Sequence, residues 1–262
     1  YNYDKPVINS IDPMPGPTAG GVDVVIRGNN FGFTATFTIA GRNCPVGAFG
    51  QSHTQFTCTL PIGQGTNQPV IGTVAGQTSA PFGYRYMAPT IDQMGPLNGP
   101  TIGGTTITMR GPNFGLGTGY TVVLGGVAAT GATSGNQTFM RFTLPSGIGT
   151  ALGINFTVAG QRAAYAGPLF SYDAPIMTKV SGCSADRAPL ALDCPVVGGK
   201  NLTITGSNFG KKKSAVTVTI AGLPSAVQTV TDLKIVTLIP ARAGRLQPAR
   251  VGACRRPEHD AE

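Results

Sequence analysis

The side chains best suited to chemistry in this chain are its five cysteines: Cys44, Cys58, Cys183, Cys194 and Cys254. Cys44 and Cys58 stand close together along the chain, as do Cys183 and Cys194, so each pair would close a short loop. A disulfide across such a loop is worth about 3 kcal/mol in chain entropy. We therefore predict two disulfides, which form in an oxidising compartment. The alternative is four free, buried thiols, and Cys254 has no evident partner.

Metal and acid–base chemistry are poorly supported. The only histidines are His53 and His259, and neither cysteine pair has the close spacing of a zinc site. General acid–base catalysis needs paired titratable groups in a pocket. The carboxylates of the first 174 residues instead stand singly: Asp4, Asp12, Asp23, Asp92 and Asp173. His53 lies in a polar stretch and is interpreted as a solvated loop residue. The sequence thus predicts no catalytic, cofactor or metal site and no enzyme.

Three Asn-x-Ser/Thr triplets could accept N-linked glycans, at Asn136, Asn155 and Asn201. Asn136 lies in a glycine-rich loop and is the preferred acceptor. Asn155 and Asn201 fall on predicted strands, where their side chains would have to face outward. Beside paired cysteines, these triplets are typical of a secreted glycoprotein.

The net charge of +8 is concentrated toward the C-terminus, in Lys211–Lys213 and in the arginines between Arg242 and Arg256. A basic patch of this kind can bind phosphate or an acidic polysaccharide. The favoured explanation is a solvated turn and a charged tail. The chain starts at Tyr1 and contains no apolar stretch long enough for a membrane span or a signal peptide, which indicates a mature or excised segment.

The elements that position these residues recur three times along the chain. Copies open at Pro6, Pro89 and Pro175, and each continues through a small-residue turn into a strand that ends at Asn-Phe-Gly. The copies read GPTAGGVDVVIRGNNFG (16–32), GPTIGGTTITMRGPNFG (99–115) and CPVVGGKNLTITGSNFG (194–210). Further matches follow in the same order, so the collinearity indicates a true repeat.

Each copy has the pattern of an all-β sandwich. Val22, Val24 and Ile26 alternate with polar residues, as do Leu202 and Ile204, and this period of two places one face on a core. Short strands separated by turn residues complete the pattern. The paired glycines before each strand are expected at positive φ. In Asn-Phe-Gly we expect a turn whose aromatic ring packs on the core.

These motifs resemble the IPT/TIG family of immunoglobulin-like modules, over nearly the whole chain. The resemblance implies an all-β fold of three tandem immunoglobulin-like β-sandwich domains, joined by short linkers in an extended rod. The linkers are Tyr86-Met87-Ala88-Pro89 and Tyr172-Asp173-Ala174-Pro175. Similar modules occur in plexin-type receptor ectodomains, Rel-type transcription factors, some polysaccharide-degrading enzymes and microbial surface proteins.

The expected boundaries follow the repeats. Residues 1–5 resemble the last strand of a preceding repeat; the repeats themselves are 6–88, 89–174 and an incomplete third at 175–240, followed by an irregular basic tail at 241–262. The third copy lacks the final strand that the first two have. One explanation is that the chain is a segment cut from a longer repeat array and ends in an unstructured tail. Strand complementation between chains, which would make a head-to-tail filament, is the sharper alternative.

The predicted function is a non-enzymatic, extracellular or cell-surface structural or adhesive array, whose partners are neighbouring repeats, copies of itself and covalent glycans. The alternative is a ligand- or carbohydrate-binding fragment of a receptor ectodomain. That alternative predicts exposed aromatic residues on one face, whereas most aromatic residues here fall at repeat-equivalent, core-like positions. A DNA-binding role is disfavoured because basic residues in the first two repeats are isolated.

Overall fold

The computed structural model describes residues 3–187 and 190–241. Nearly all regular structure in these residues is β, and the one helical element is a 3₁₀ turn at Lys213–Ala215. The all-β expectation is confirmed. By its contacts the chain divides into two compact units: Tyr1–Leu97 with Thr106–Thr143 and Leu152–Leu169, and Asn98–Thr105 with Leu144–Ala151 and Phe170–Glu262. Two turn segments of the second repeat thus belong with the third repeat.

In the first unit, the first repeat forms two sheets, ordered β1-β2-β6-β5 and β4-β3-β7-β8, with β9 also pairing β7. The strands are β1 (Val7–Asp12), β2 (Asp23–Asn29), β3 (Thr36–Ile39), β4 (Arg42–Cys44), β5 (Val46–Gln51), β6 (Gln55–Thr59), β7 (Gln68–Val74), β8 (Gln77–Thr78) and β9 (Phe82–Tyr84).

The core of this sandwich lies between the two sheets, where alternate residues of each strand meet. Val24 and Ile26 of β2 are fully buried, as the alternation predicts. Phe37 of β3 contacts Phe56 of β6 with ring centroids 4.5 Å apart, which joins the sheets. Val22 differs from the expectation: it precedes β2 in a bend and is 37% exposed, because the strand's alternation begins only at Asp23.

The second repeat repeats this layout. Within the first unit its sheets are ordered β10-β12-β16-β15 and β14-β13-β17-β18, and in the second unit β11 pairs β19 in parallel. The strands are β10 (Gln93–Gly95), β11 (Asn98–Gly99), β12 (Thr106–Arg110), β13 (Tyr120–Leu124), β14 (Val127–Ala128), β15 (Thr130–Asn136), β16 (Phe139–Thr143), β17 (Ile154–Val158), β18 (Gln161–Arg162) and β19 (Ser171–Tyr172).

The third repeat, in the second unit, has one sheet ordered β20-β23-β27-β26 and the two-stranded pairs β21-β22 and β24-β25. The strands are β20 (Ile176–Ser181), β21 (Ala185–Arg187), β22 (Leu190–Leu192), β23 (Asn201–Ser207), β24 (Val218–Ile220), β25 (Leu223–Ser225), β26 (Val227–Thr231) and β27 (Lys234–Leu238). Leu202 and Ile204 enter its core, as predicted. Most of the predicted tail, 242–262, lies outside the described residues.

Two turns recur in every repeat and both predictions about them are confirmed. The glycine pair before the long strand takes positive φ, for example 65° and 78° at Gly20 and Gly21. A Cβ at Gly20 would lie 2.4 Å from the carbonyl oxygen of Leu60, so only glycine fits there. The Phe of Asn-Phe-Gly is buried in all three copies, at Phe31, Phe114 and Phe209.

Candidate functional site

The candidate site is a hydrogen-bonded contact between consecutive repeats. We call the contact between the first and second repeats the first joint. Its centre is Thr18, in the Gly-Pro-Thr turn of the first repeat, whose side chain is 1% exposed. The backbone N–H of Thr18 donates to Oδ1 of Asn113 at 3.2 Å. Its hydroxyl donates to Oε1 of Gln137 at 2.7 Å. Both partners belong to the second repeat, so one threonine docks onto two of its turns.

A second group of contacts lies beside the threonine. Gln64, on the loop after Leu60-Pro61, accepts a hydrogen bond from the backbone N–H of Leu116 at 2.7 Å and donates to the carbonyl of Thr118 at 3.1 Å. The amide of Gln161 donates to the carbonyl of Tyr86, in the linker, at 2.9 Å. These bonds hold the loop of the first repeat and the linker against the second repeat.

The same arrangement recurs at a second joint, formed within the second unit. The N–H of Thr101, in the next Gly-Pro-Thr turn, donates to Oδ1 of Asn208 at 3.4 Å. Its hydroxyl donates to the carboxylate of Asp232, which also accepts from the N–H of Gly210. Ile148, the positional equivalent of Gln64, packs on Gly210, since a Cβ there would lie 2.5 Å from Cγ2 of Ile148.

Backbone hydrogen bonds prove that the partners in the two joints are equivalent. The N–H of Phe114 donates to the carbonyl of Gln137 at 2.8 Å, and the N–H of Phe209 donates to that of Asp232 at 3.1 Å. Asn113 and Asn208 share a left-handed backbone, with φ of 63° and 59°, a conformation that asparagine tolerates. Each joint therefore consists of a threonine turn that donates and an Asn-Phe-Gly turn with its neighbouring hairpin that accepts.

The sequence alone does not reveal the contacts between repeats that form the two joints. The available signal was the repetition of Thr18 at Thr101 and of asparagine at Asn113 and Asn208, but turn chemistry alone accounts for each. Gln137 and Asp232 differ in side-chain type, so nothing in the sequence marks them as counterparts. Their relationship becomes visible only through the backbone bonds of the folded chain.

Among the described residues, the titratable groups with clearly shifted pKa values are tyrosines, and those in the cores serve the fold. Burial raises the pKa of Tyr86 to about 12, partly offset by Arg42, and its hydroxyl donates to the carbonyl of Pro61 at 3.0 Å. Burial also raises the pKa of Tyr172, whose hydroxyl donates to Pro145 at 2.6 Å. The hydroxyl groups of these two tyrosines bind the Leu-Pro turn of their own repeats. Their raised pKa values therefore result from packing in the fold and do not indicate catalysis.

The described residues contain no cluster of three or more His, Cys, Asp or Glu side chains that could hold a metal ion. No described helix is long and apolar enough to cross a membrane. Lys211, Lys212 and Lys213 are exposed and line one side of a surface groove in the third repeat. The arginines at 242–256, His259 and Cys254 lie outside the described residues.

Both predicted cysteine pairs form disulfides in the structure. Cys44 on β4 and Cys58 on β6 form a disulfide with Cα atoms 5.5 Å apart, and it bridges the two sheets of the first sandwich. Cys183 and Cys194 form a second disulfide with Cα atoms 4.8 Å apart. The first pair is buried in the core, whereas the second is half-buried.

All three predicted glycan acceptors are exposed. Asn136 ends β15, and its Oδ1 accepts hydrogen bonds from the N–H and hydroxyl of Thr138, both at 2.9 Å. Asn155 on β17 and Asn201 on β23 point outward from their strands. Glycosylation at these three positions stays a prediction.

A cleft in the second repeat, of about 440 Å³, is lined by the polar side chains of Asp92, Arg110 and Tyr165 and by apolar residues such as Met94 and Pro168. Nearby, the guanidinium groups of Arg110 and Arg141 lie over the ring of Phe139, 5.0 and 4.9 Å from the ring centroid. Such contacts stabilise an exposed arginine pair by about 0.5–1 kcal/mol each.

Comparison with known proteins supports the fold and the family. The IPT/TIG domain profile matches residues 6–86, 89–172 and 192–254, the last match running into the part of the chain that the structure does not describe. Mouse Plexin-B2 is 28% identical over 234 residues, which cover 82% of this chain and 12% of that protein. Plexin-2 of Caenorhabditis briggsae is 24% identical over 241 residues, covering 88% of this chain and 13% of that protein. The chain thus spans about an eighth of these relatives.

Among solved structures, the full extracellular region of Plexin A4 aligns with 91% of this chain and 21% of its own, at 19% identity and a TM-score of 0.35. The surface glycan-binding protein PbSGBP-B from Prevotella bryantii aligns with 62% of this chain and 41% of its own, at 14% identity and a TM-score of 0.43. The disulfides and the plexin relatives place this chain outside the cell or on its surface. Its three matches, over most of its length, show that the chain belongs to the IPT/TIG domain family.

Proposed function

We propose that this chain is a non-enzymatic spacer in the extracellular part of a receptor-like surface protein, and that the first joint holds the first and second IPT/TIG repeats at a fixed angle. The single observation that carries this proposal is the recurrence of one joint at two junctions. A contact made once could be incidental, but Thr18 and Thr101 dock on equivalent residues of the next repeat. Plexin relatives of matching sequence fit a role within a larger receptor.

The energetics of the joint favour a fixed geometry. Thr18 and Thr101 are 1% and 4% exposed, so their hydroxyls depend on these partners while the joint is closed. Each such hydrogen bond contributes about 0.5–1.5 kcal/mol net to the closed joint. Rotating one repeat away from the next would break these bonds together with those of Gln64, and the short, proline-ended linker leaves little chain to absorb the movement.

Residual dipolar couplings test the proposal at the first joint, because they report the relative orientation of the first and second repeats directly. We expect one alignment tensor to fit both repeats of the intact chain. Thr18→Val removes the hydroxyl but keeps the side-chain shape, and it should loosen the joint; Thr38→Val, on the outer side of β3, is the matched control. Independent tensors for the two repeats of the unmodified chain would contradict the proposal.

A second candidate, head-to-tail assembly by strand complementation, is favoured by one observation in the third repeat. Among the described residues β24 pairs only with β25, whereas its counterpart β3 pairs with β4 and β7. An open edge can accept a strand from another chain. Sedimentation velocity and negative-stain microscopy test this candidate: growth of fibres with concentration supports it, and a monomer at every concentration rejects it.

A further inference from the structure

The first repeat carries the accepting half of a joint on its own exposed surface. The residues equivalent to Asn113, Gly115, Leu116 and Gln137 are Asn30, Gly32, Phe33 and His53, which we call the N-terminal face. His53 is assigned by the same backbone bond that defines the other copies: the N–H of Phe31 donates to the carbonyl of His53 at 3.0 Å. In the second repeat these positions contact the first repeat, and in the third repeat Asn208, Gly210 and Asp232 contact turns of the second repeat.

Asn30 is held in the conformation that the accepting asparagine needs. Its φ of 62° matches those of Asn113 and Asn208. Its Nδ2 donates to the carbonyl of Lys5 at 3.1 Å, as Nδ2 of Asn208 donates to Ala174 in the linker at 3.3 Å. The outer oxygen of Asn30, Oδ1, receives no hydrogen bond from the described part of the chain. Asn30 is therefore positioned for a donor that the described part of the chain does not supply at this point.

The rest of the face is also preformed and open. Phe33 is 66% exposed, although the amide of Gln51 donates to its backbone carbonyl and fixes its loop. Its ring meets that of His53 edge to face, with centroids 4.4 Å apart. His53 is exposed, whereas its counterpart Asp232 is only 7% exposed. A neutral imidazole offers one ring nitrogen as acceptor for a hydroxyl, as the side chains of Gln137 and Asp232 do.

We propose that the N-terminal face docks the Gly-Pro-Thr turn of a preceding IPT/TIG module. The threonine N–H of that module donates to Oδ1 of Asn30, its hydroxyl donates to the ring of His53, and its following loop covers Gly32 and Phe33. The occupant follows from continuity with the two observed joints, where the same positions bind that turn. The third repeat has Val196 in place of the threonine, so the equivalent turn of a second copy lacks the hydroxyl that would donate to His53.

This inference rests on the joint of the proposed function, and one extended protein tests both. A copy of residues 6–88 is joined directly ahead of Pro6 of residues 6–262, which recreates the natural Ala88–Pro linker. Residual dipolar couplings then compare the added module with the first repeat, and the first repeat with the second. We expect one alignment tensor for all three. Asn30→Gly keeps the left-handed backbone but removes Oδ1, and it should free only the added module; Asn113→Gly is the matched variant for the first joint.

Two results would overturn the inference. If the added module tumbles independently while the first joint stays fixed, the N-terminal face docks no preceding module, and the proposed function stands. If residues 1–262 form dimers in sedimentation that Asn30→Gly abolishes, the occupant is a second copy instead. Loss of a common tensor at the first joint as well would contradict the proposed function itself.

Discussion

The hydroxyl of Thr101 donates a hydrogen bond to the carboxylate of Asp232, and the two side chains are only 4% and 7% exposed. At the equivalent place in the first joint, Thr18 donates to the neutral amide of Gln137. One position thus accepts a threonine hydroxyl with either a charged or an uncharged oxygen. The geometry of the acceptor is retained while its charge is not, which indicates that the joint depends on hydrogen bonding and packing.

Asp232→Ala should lower the free energy of unfolding of the second unit by about 1–3 kcal/mol, because it leaves the Thr101 hydroxyl and the Gly210 N–H without their acceptor. Asp232→Asn keeps one acceptor oxygen and should cost less. Urea unfolding followed by circular dichroism measures both. Asp92→Ala removes an exposed carboxylate and serves as the control. Equal stability of Asp232→Ala and the unmodified protein would contradict the role given to this residue.

Stability should fall as the pH rises from about 10 toward 12. The pKa of Tyr86 is raised from 10.0 to about 12 by burial, so in this range the unfolded chain loses the phenolic proton while the folded chain retains it. The folded state then binds more protons, and stability decreases with pH. Urea unfolding at pH 9, 10 and 11 measures the slope. Tyr86→Phe should reduce it, whereas Tyr3→Phe, at a tyrosine 79% exposed, should not. An identical slope in both variants would contradict this assignment.

The strands were predictable because their signal is local. Val24 and Ile26, or Leu202 and Ile204, alternate within a few residues, and the glycine pairs mark the turns where the chain must take positive φ. Val22 shows the limit of this reasoning, since periodicity does not say where a strand starts.

The joints were not predictable because their bonds link residues far apart along the chain. Thr18 and Gln137 are separated by 119 positions, and Thr101 and Asp232 by 131. A threonine in a turn and an asparagine at positive φ each have a sufficient local explanation, so neither points to a partner. Only the fold brings them together.

The two disulfides should differ in their resistance to reduction. Cys44 and Cys58 are 2% and 0% exposed, whereas Cys183 and Cys194 are half-buried. Thiol–disulfide exchange requires access to a sulfur, so a mild reductant should open the Cys183–Cys194 bond first in the folded protein. Differential alkylation and peptide mass spectrometry give the order, and in denaturant the difference should disappear. Faster opening of the Cys44–Cys58 bond would contradict the prediction.

Expression through a eukaryotic secretory pathway should add N-linked glycans, with the highest occupancy at Asn136. This residue ends β15 at a tight turn, where its Oδ1 already accepts from the hydroxyl of Thr138, whereas Asn155 lies inside β17, paired with Val123 of β13. An acceptor in a surface turn stays accessible after the strand pairs close. Intact mass before and after glycosidase treatment, with Asn136→Gln and Asn155→Gln as matched variants, gives the occupancy of each. A larger mass loss from Asn155→Gln than from Asn136→Gln would reverse this order and show that the paired strand is modified before it folds.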